Sequence, residues 1–180
     1  HRNYRLFFGG QIVSLVGTWM QQIAVSWLVY RLTHSAFMLG VVGFASRVPA
    51  FVLAPAAGVL VDRWDRHRTL VTTQVLSMVQ ALVLAILVLT GTVLVWQVIC
   101  LTLVLGSINA FDVAVRQSFV VDMIGRRQDL GNAIALNSSM VNGARLVGPS
   151  LAGILIAAVG EGTCFLINAI SYLPVLLALW

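Results

Sequence analysis

The chain contains no lysine, and its 180 residues include only six aspartates and glutamates. Charged residues of either sign amount to 9%, whereas a soluble domain carries about 25%. Too little charge is present to cover a water-facing surface, so the composition excludes an ordinary soluble domain and an intrinsically disordered chain alike. Two cysteines, Cys100 and Cys164, each inside an apolar run, provide neither a disulfide framework nor metal-ligand spacing. The histidines, His1, His34 and His67, are far apart in sequence, so a metal site is not expected. No glycine-rich phosphate loop and no catalytic pair is visible, and nothing calls for a cofactor. Present in place of all this is 59% hydrophobic residues and a mean hydropathy of +0.95. At about 20 apolar residues per bilayer crossing, the length has room for roughly six transmembrane helices.

All 11 basic residues are arginine, giving a net charge of +5. A basic balance can indicate a nucleic-acid partner, but here long apolar stretches that no nucleic-acid-binding module contains separate the arginines, so none is expected. Charge-free windows define the crossings. The first lies at about 6–30, between Arg5 and Arg31, and the second at about 35–61, interrupted only by Arg47. The 43 uncharged residues from Thr69 to Phe111 suit two crossings, about 69–89 and 93–115, turning at Thr90-Gly91-Thr92. The fifth, about 130–159, is interrupted only by Arg145 and begins beside Asp129, which is placed to cap its first turn. Gly160-Glu161-Gly162 turns the chain into the sixth, about 163–180.

With the N-terminus on the cytoplasmic side, Arg2, Arg5, Arg63, Arg66, Arg68, Arg126 and Arg127 all fall inside and Arg31 alone falls outside. The chain has neither an initiating methionine nor a polar tail, and is expected to be part of a longer protein. Spans two and five each carry a mid-membrane arginine followed by proline and small residues: Arg47, Pro49, Pro55 and Gly58 in one, Arg145, Gly148, Pro149 and Gly153 in the other. Two three-helix units, inverted because each has an odd number of crossings, are a transporter arrangement.

The segment Gly58-Val59-Leu60-Val61-Asp62-Arg63-Trp64-Asp65-Arg66-His67-Arg68 ends span two. The C-terminal dipole of that helix disfavours Asp62, which should therefore have a cationic partner, while Gly58 one turn earlier would admit a neighbouring helix. Together they read as a gate. This segment resembles the motif between helices two and three of the major facilitator superfamily, matching at Gly58, Asp62, Arg63, His67 and Arg68 and departing at Asp65, where that family has glycine. Gly148, Pro149 and Gly153 resemble the helix-five element of the family's exporters, although Ala135 and Ala144 stand where the longer pattern prefers glycine. With Asn3-Tyr4-Arg5-Leu6-Phe7-Phe8 and the stretch from Arg116 to Ser138, the chain is most similar to the bacterial enterobactin-exporter branch. The resemblance implies an all-α, polytopic half of a twelve-helix fold in the bacterial inner membrane. It also implies alternating access against a missing C-terminal six-helix half, proton antiport and export of a siderophore or drug.

Arg47 and Arg145 sit near the bilayer midplane, where an arginine costs at least about 2.5–3.5 kcal/mol. No acid is expected at that depth, which leaves an anionic small-molecule cargo, a carboxylate of the missing half, or carbonyls freed near Pro49 and Pro149. Gln11, Ser14, Thr18 and Gln22 recur at helical spacing on span one, and Ser138, Asn142 and Arg145 on span five. These are candidate cavity residues, or equally interhelical hydrogen-bonding groups. Asp112 and Arg116, one turn apart, are expected to form an ion pair, with Arg116 also a candidate partner for Asp62 and Asp112 a candidate proton carrier. Against a transporter stand a non-transporting membrane scaffold, which would not need midplane arginines, and a membrane-embedded enzyme, which would need a catalytic constellation.

Overall fold

A computed structural model describes residues 2–124 and 127–180, without the side chains of residues 3, 123, 127 and 128. Arg126 and the side chains of Asn3 and Arg127, part of the charge and motif patterns above, therefore lie outside the described residues. Among the described residues the elements are all helices: α1 (Arg2–Thr33), α2 (Ala36–Arg63), α3 (Arg66–Leu89), α4 (Val95–Ile124), α5 (Arg127–Val159), α6 (Glu161–Ser171) and α7 (Leu173–Leu179). The last two form one crossing, so six stretches are long and apolar enough to traverse a bilayer. Pro174, near the start of α7, has no N–H to continue the α6 ladder, and the crossing breaks at Tyr172.

The connections are short. Between α2 and α3 only Trp64 and Asp65 are non-helical, and the Asp65 carboxylate accepts the Arg68 N–H at 2.8 Å, capping α3. An aspartate where the superfamily motif has glycine thus starts the next helix without a break. The α3–α4 turn uses Gly91 at φ +70°, and the α5–α6 link is Gly160 alone, at φ +86°. Glu161 and Gly162, expected in that turn, instead open α6, where a Cβ on Gly162 would stand 2.8 Å from Leu89 of α3. α4 runs nine residues beyond the expected end of its crossing at 115.

In hydrocarbon, helices associate by close packing and polar ties rather than by a hydrophobic drive. The extensive contacts pair α2 with α4, α1 with α5 and α3 with α6, followed by α3 with α4 and α1 with α6. Exchanging α1 with α4, α2 with α5 and α3 with α6 maps this set of pairs onto itself, as two equivalent three-helix units require. Glycines lie at the two most extensive of these contacts. A Cβ on Gly148 of α5 would meet the Trp19 Cβ at 2.6 Å and the Val16 carbonyl at 2.9 Å, and one on Gly106 of α4 would meet the Ser46 carbonyl at 2.9 Å. Exposed Trp27 and Trp96 mark one end of the bundle and exposed Trp64 and Trp180 the other, as interfacial aromatics do. Trp19, midway along α1, is the exception.

Candidate functional site

The polar side chains divide into an interior set and a set facing an open cleft. The interior set joins α1, α3, α4 and α6. Asp112, buried on α4, accepts hydrogen bonds from Thr73 at 2.7 Å and Gln74 at 2.8 Å on α3 and is ion-paired to Arg116. Arg116 also reaches α1, where the Gln11 amide oxygen, turned toward it, accepts from Nη1 at 2.9 Å. Farther along, Gln21 donates to Gln80 at 3.0 Å and accepts from Asn168 at 2.5 Å, while Gln80 donates to the Leu101 carbonyl at 3.1 Å. One glutamine thereby ties α1 to both α3 and α6.

This arrangement corrects two expectations. Gln11 and Ser14 do not face a cavity; both are buried in the bundle, because α1 is central and presents polar groups on more than one side. Arg116 does not partner Asp62: its guanidinium is held by Asp112 and Gln11, and Asp62 makes no ion pair among the described residues. Among the described residues, Gly58 and Gly153 have nothing within 4 Å of where a Cβ would stand, so no described helix closes on either. Gly148, by contrast, is tightly packed on α1. Pro149 neither breaks α5 nor ends it, but it cannot donate to the carbonyl four residues back, which is that of Arg145 itself. Of the basic residues near the α2–α3 turn, Arg66 pairs with Asp122 of α4 at 2.5 Å, whereas Arg63 and Arg68 have no carboxylate partner among the described residues.

The open cleft lies between α1, α2 and α4 and has a volume of about 190 Å³. Thr18, Trp19 and Gln22 line it from α1, Ser46 and Arg47 from α2, and Asn109 from α4. Small residues on α2 and α4 leave the space: Gly43 lines it, and Gly106 lets the two helices cross without filling it. Arg145 approaches from α5, its guanidinium carbon 5.5 Å from the centroid of the Trp19 ring. Both arginines are exposed, and neither makes a hydrogen bond or ion pair to a described residue. Ser138 and Asn142 are exposed on α5 but do not line this cleft.

Asn109 and Ser46 were not singled out from the sequence. Asn109 carries the signal of an uncharged amide in the middle of a hydrophobic crossing, and Ser46 that of being next to Arg47. The cleft holds one cation, a second over its aromatic wall, and neutral hydrogen-bonding groups, but no carboxylate. Such a lining attracts an anion with hydroxyl or carbonyl oxygens and repels a cation.

Comparison with known proteins agrees with this architecture. A family model described as transmembrane secretion effector matches residues 1–180. The staphyloferrin A transporter of Staphylococcus aureus (strain NCTC 8325 / PS 47) is 31% identical over 97% of this chain and 44% of its own length. Macrolide efflux protein A of Streptococcus pyogenes is 26% identical over 86% of this chain and 39% of its own. The multidrug efflux pump Tap of Mycolicibacterium fortuitum is 28% identical over 77% of this chain and 35% of its own. The chain thus spans less than half the length of these curated relatives. Six apolar crossings in two equivalent triplets, and a family match along the whole chain, lead to one assignment: the chain belongs to the transmembrane secretion effector family of major facilitator superfamily transporters.

Proposed function

We propose that this bundle is the N-terminal half of a secondary active exporter that carries an acidic small molecule across the bacterial inner membrane by alternating access, coupled to proton antiport. The observation that carries the reading is one cleft with two exposed arginines, Arg47 in its lining and Arg145 over its Trp19 wall, neither ion-paired to a carboxylate among the described residues. Internal glue would leave these groups bonded to other helices. An unneutralised pair of cations so deep in a bilayer is stabilised when an anion arrives, which is what a binding site needs and a scaffold does not. The name of the staphyloferrin A transporter supports a siderophore as cargo, and those of the efflux relatives support export.

The missing six-helix half covers α2 and α5, which bury the smallest share of their surface in this bundle. On α2, Gly40, Gly43, Arg47, Phe51, Ala54, Gly58 and Asp62 follow one another at spacings of three and four residues, and all are exposed. Gly58 and Asp62 then act as a gate against that half, with Arg63 beside them, and the gate is closed by a cation the half supplies. The N-terminus lies in the cytoplasm, with the arginine-bearing turns. Asp112 is the candidate proton carrier, since it is the acid set deepest among the helices.

The test is transport by the full-length protein in proteoliposomes. Arg47→Gln and Arg145→Gln should each depress flux of an acidic cargo more than that of a neutral one. Equal loss of both cargoes would remove the binding role, and flux that persists after the proton gradient is collapsed would remove antiport.

A further inference from the structure

A second concavity, of about 680 Å³, lies on the other side of the α2–α3 turn from the cleft. α2 and α3 touch each other little although only two residues join them, and α4, which packs on both, floors the gap between them. Arg63, Trp64 and Arg68 stand at its mouth, and Thr72, Leu76 and Phe111 form its walls. From Arg66 at the start of α3 to Leu76 is ten residues, roughly 15 Å of helix, about half of a hydrocarbon core. The groove therefore runs from the headgroup level to the middle of the membrane, along one leaflet.

Its chemistry changes along that length. The walls are mainly apolar, while the mouth carries two arginines with no carboxylate partner among the described residues. Of the nearby carboxylates, Asp122 holds Arg66, Asp65 lines the mouth and caps α3 through the Arg68 N–H, and Asp62 adjoins Arg63 in sequence; none of them is ion-paired to Arg63 or Arg68. Trp64, half exposed, stacks on Phe111 with ring centroids 5.9 Å apart and stands where an indole meets lipid headgroups. A ligand that fits has an anionic head and a linear apolar tail one leaflet long.

We propose that this groove binds an anionic phospholipid, its phosphate on Arg63 and Arg68 and one acyl chain along Thr72 and Leu76. The site is separate from the cargo cleft and does not depend on the transport reading. A bound lipid would fill the gap between α2 and α3 and join the two helices where their own side chains do not meet.

The proposal is tested on the full-length protein in detergent, by quenching of Trp64 emission with lipids brominated in the acyl chain. Trp64 emission is taken as the difference between the wild-type protein and Trp64→Phe. Brominated phosphatidylglycerol should quench at concentrations at least about tenfold below those needed with brominated phosphatidylcholine, because two arginines favour the anionic head. Arg63→Gln with Arg68→Gln should bring the two lipids level, and Thr72→Phe, which fills the groove without adding an indole, should weaken both. Equal quenching by the two lipids in the wild-type protein would overturn the proposal without reference to any variant. So would a preference that survives loss of both arginines. Displacement of the lipid by an equal concentration of inorganic phosphate would mark a free-anion site and would overturn it as well.

Discussion

The guanidinium carbon of Arg145 lies 5.5 Å from the centre of the Trp19 ring, and this joins α5 to α1 at mid-membrane by a cation over an aromatic face. An interaction of this kind contributes about 0.5–2 kcal/mol, more when it is shielded from water. Trp19→Leu removes the ring while keeping an apolar side chain. Affinity for an acidic cargo should fall roughly 2- to 30-fold, as that energy range implies, and Trp19→Phe should lose less. Equilibrium titration of the full-length protein measures both, and an unchanged affinity in the leucine variant would mean that the ring does not position Arg145.

The ion pair inside the bundle gives a second prediction. Asp112 and Arg116 are mostly buried, and Asp112 is also held by Thr73 and Gln74. Asp112→Asn leaves Arg116 with an amide in place of a carboxylate, and breaking one side of a buried pair costs about 3–5 kcal/mol. The double variant Asp112→Asn with Arg116→Gln should be less destabilised than the sum of the two single variants, since no charge is then stranded. Thermal unfolding of the four proteins closes the cycle, and additive losses would show that the two side chains act independently.

Packing at glycine separates two positions that look alike in the sequence. A Cβ at Gly148 would overlap Trp19, whereas one at Gly153 meets nothing within 4 Å. Gly148→Ala should destabilise the bundle by about 1–3 kcal/mol, in the range of overpacked cores, and Gly153→Ala should leave its unfolding midpoint unchanged. If the two behaved alike, the close approach of α1 and α5 would not be the basis of the difference.

The helix cap at Asp65 can be checked against the residue that the superfamily motif carries there. Asp65→Ala removes the bond to the Arg68 N–H and should cost about 1 kcal/mol, whereas Asp65→Gly should cost only a few tenths. Chemical denaturation distinguishes them, and a glycine variant as unstable as the alanine one would argue for a role beyond capping.

Much of the architecture was legible in the sequence because a membrane punishes charge so strongly. The helix ends of α2, α3 and α5 lie within a few residues of the span limits suggested by charge placement and glycine turns, and Gly91 turns the chain where its neighbours indicated. The Asp112–Arg116 pair was legible from its i, i+4 spacing, but its burial among Thr73, Gln74 and Gln11 was not. Those partners come from two other helices, and no local pattern announces them. The polar face of α1 had two readings for a related reason, and each holds for part of it: Gln11 bonds to another helix, while Thr18 and Gln22 line the cleft. Helical spacing says that Gln11, Ser14, Thr18 and Gln22 fall near one another around the axis, but not that α1 has neighbours on several sides. Arg47 and Arg145 were recognisable from their depth, whereas the role of Trp19 beside them depends on how closely Gly148 brings α5 to α1.

The exchange that superposes one triplet of helices on the other has a consequence for the two membrane faces. The helix pairing treats them as equals, since each contact in one triplet has its counterpart in the other. The fastenings are not equal. At one end Arg31 of α1 clasps Glu161 of α6; toward the other, Arg66 clasps Asp122, and Asp112 with Arg116 and Gln11 anchors three helices. A frame that repeats itself in backbone thus carries unlike fastenings at its two ends.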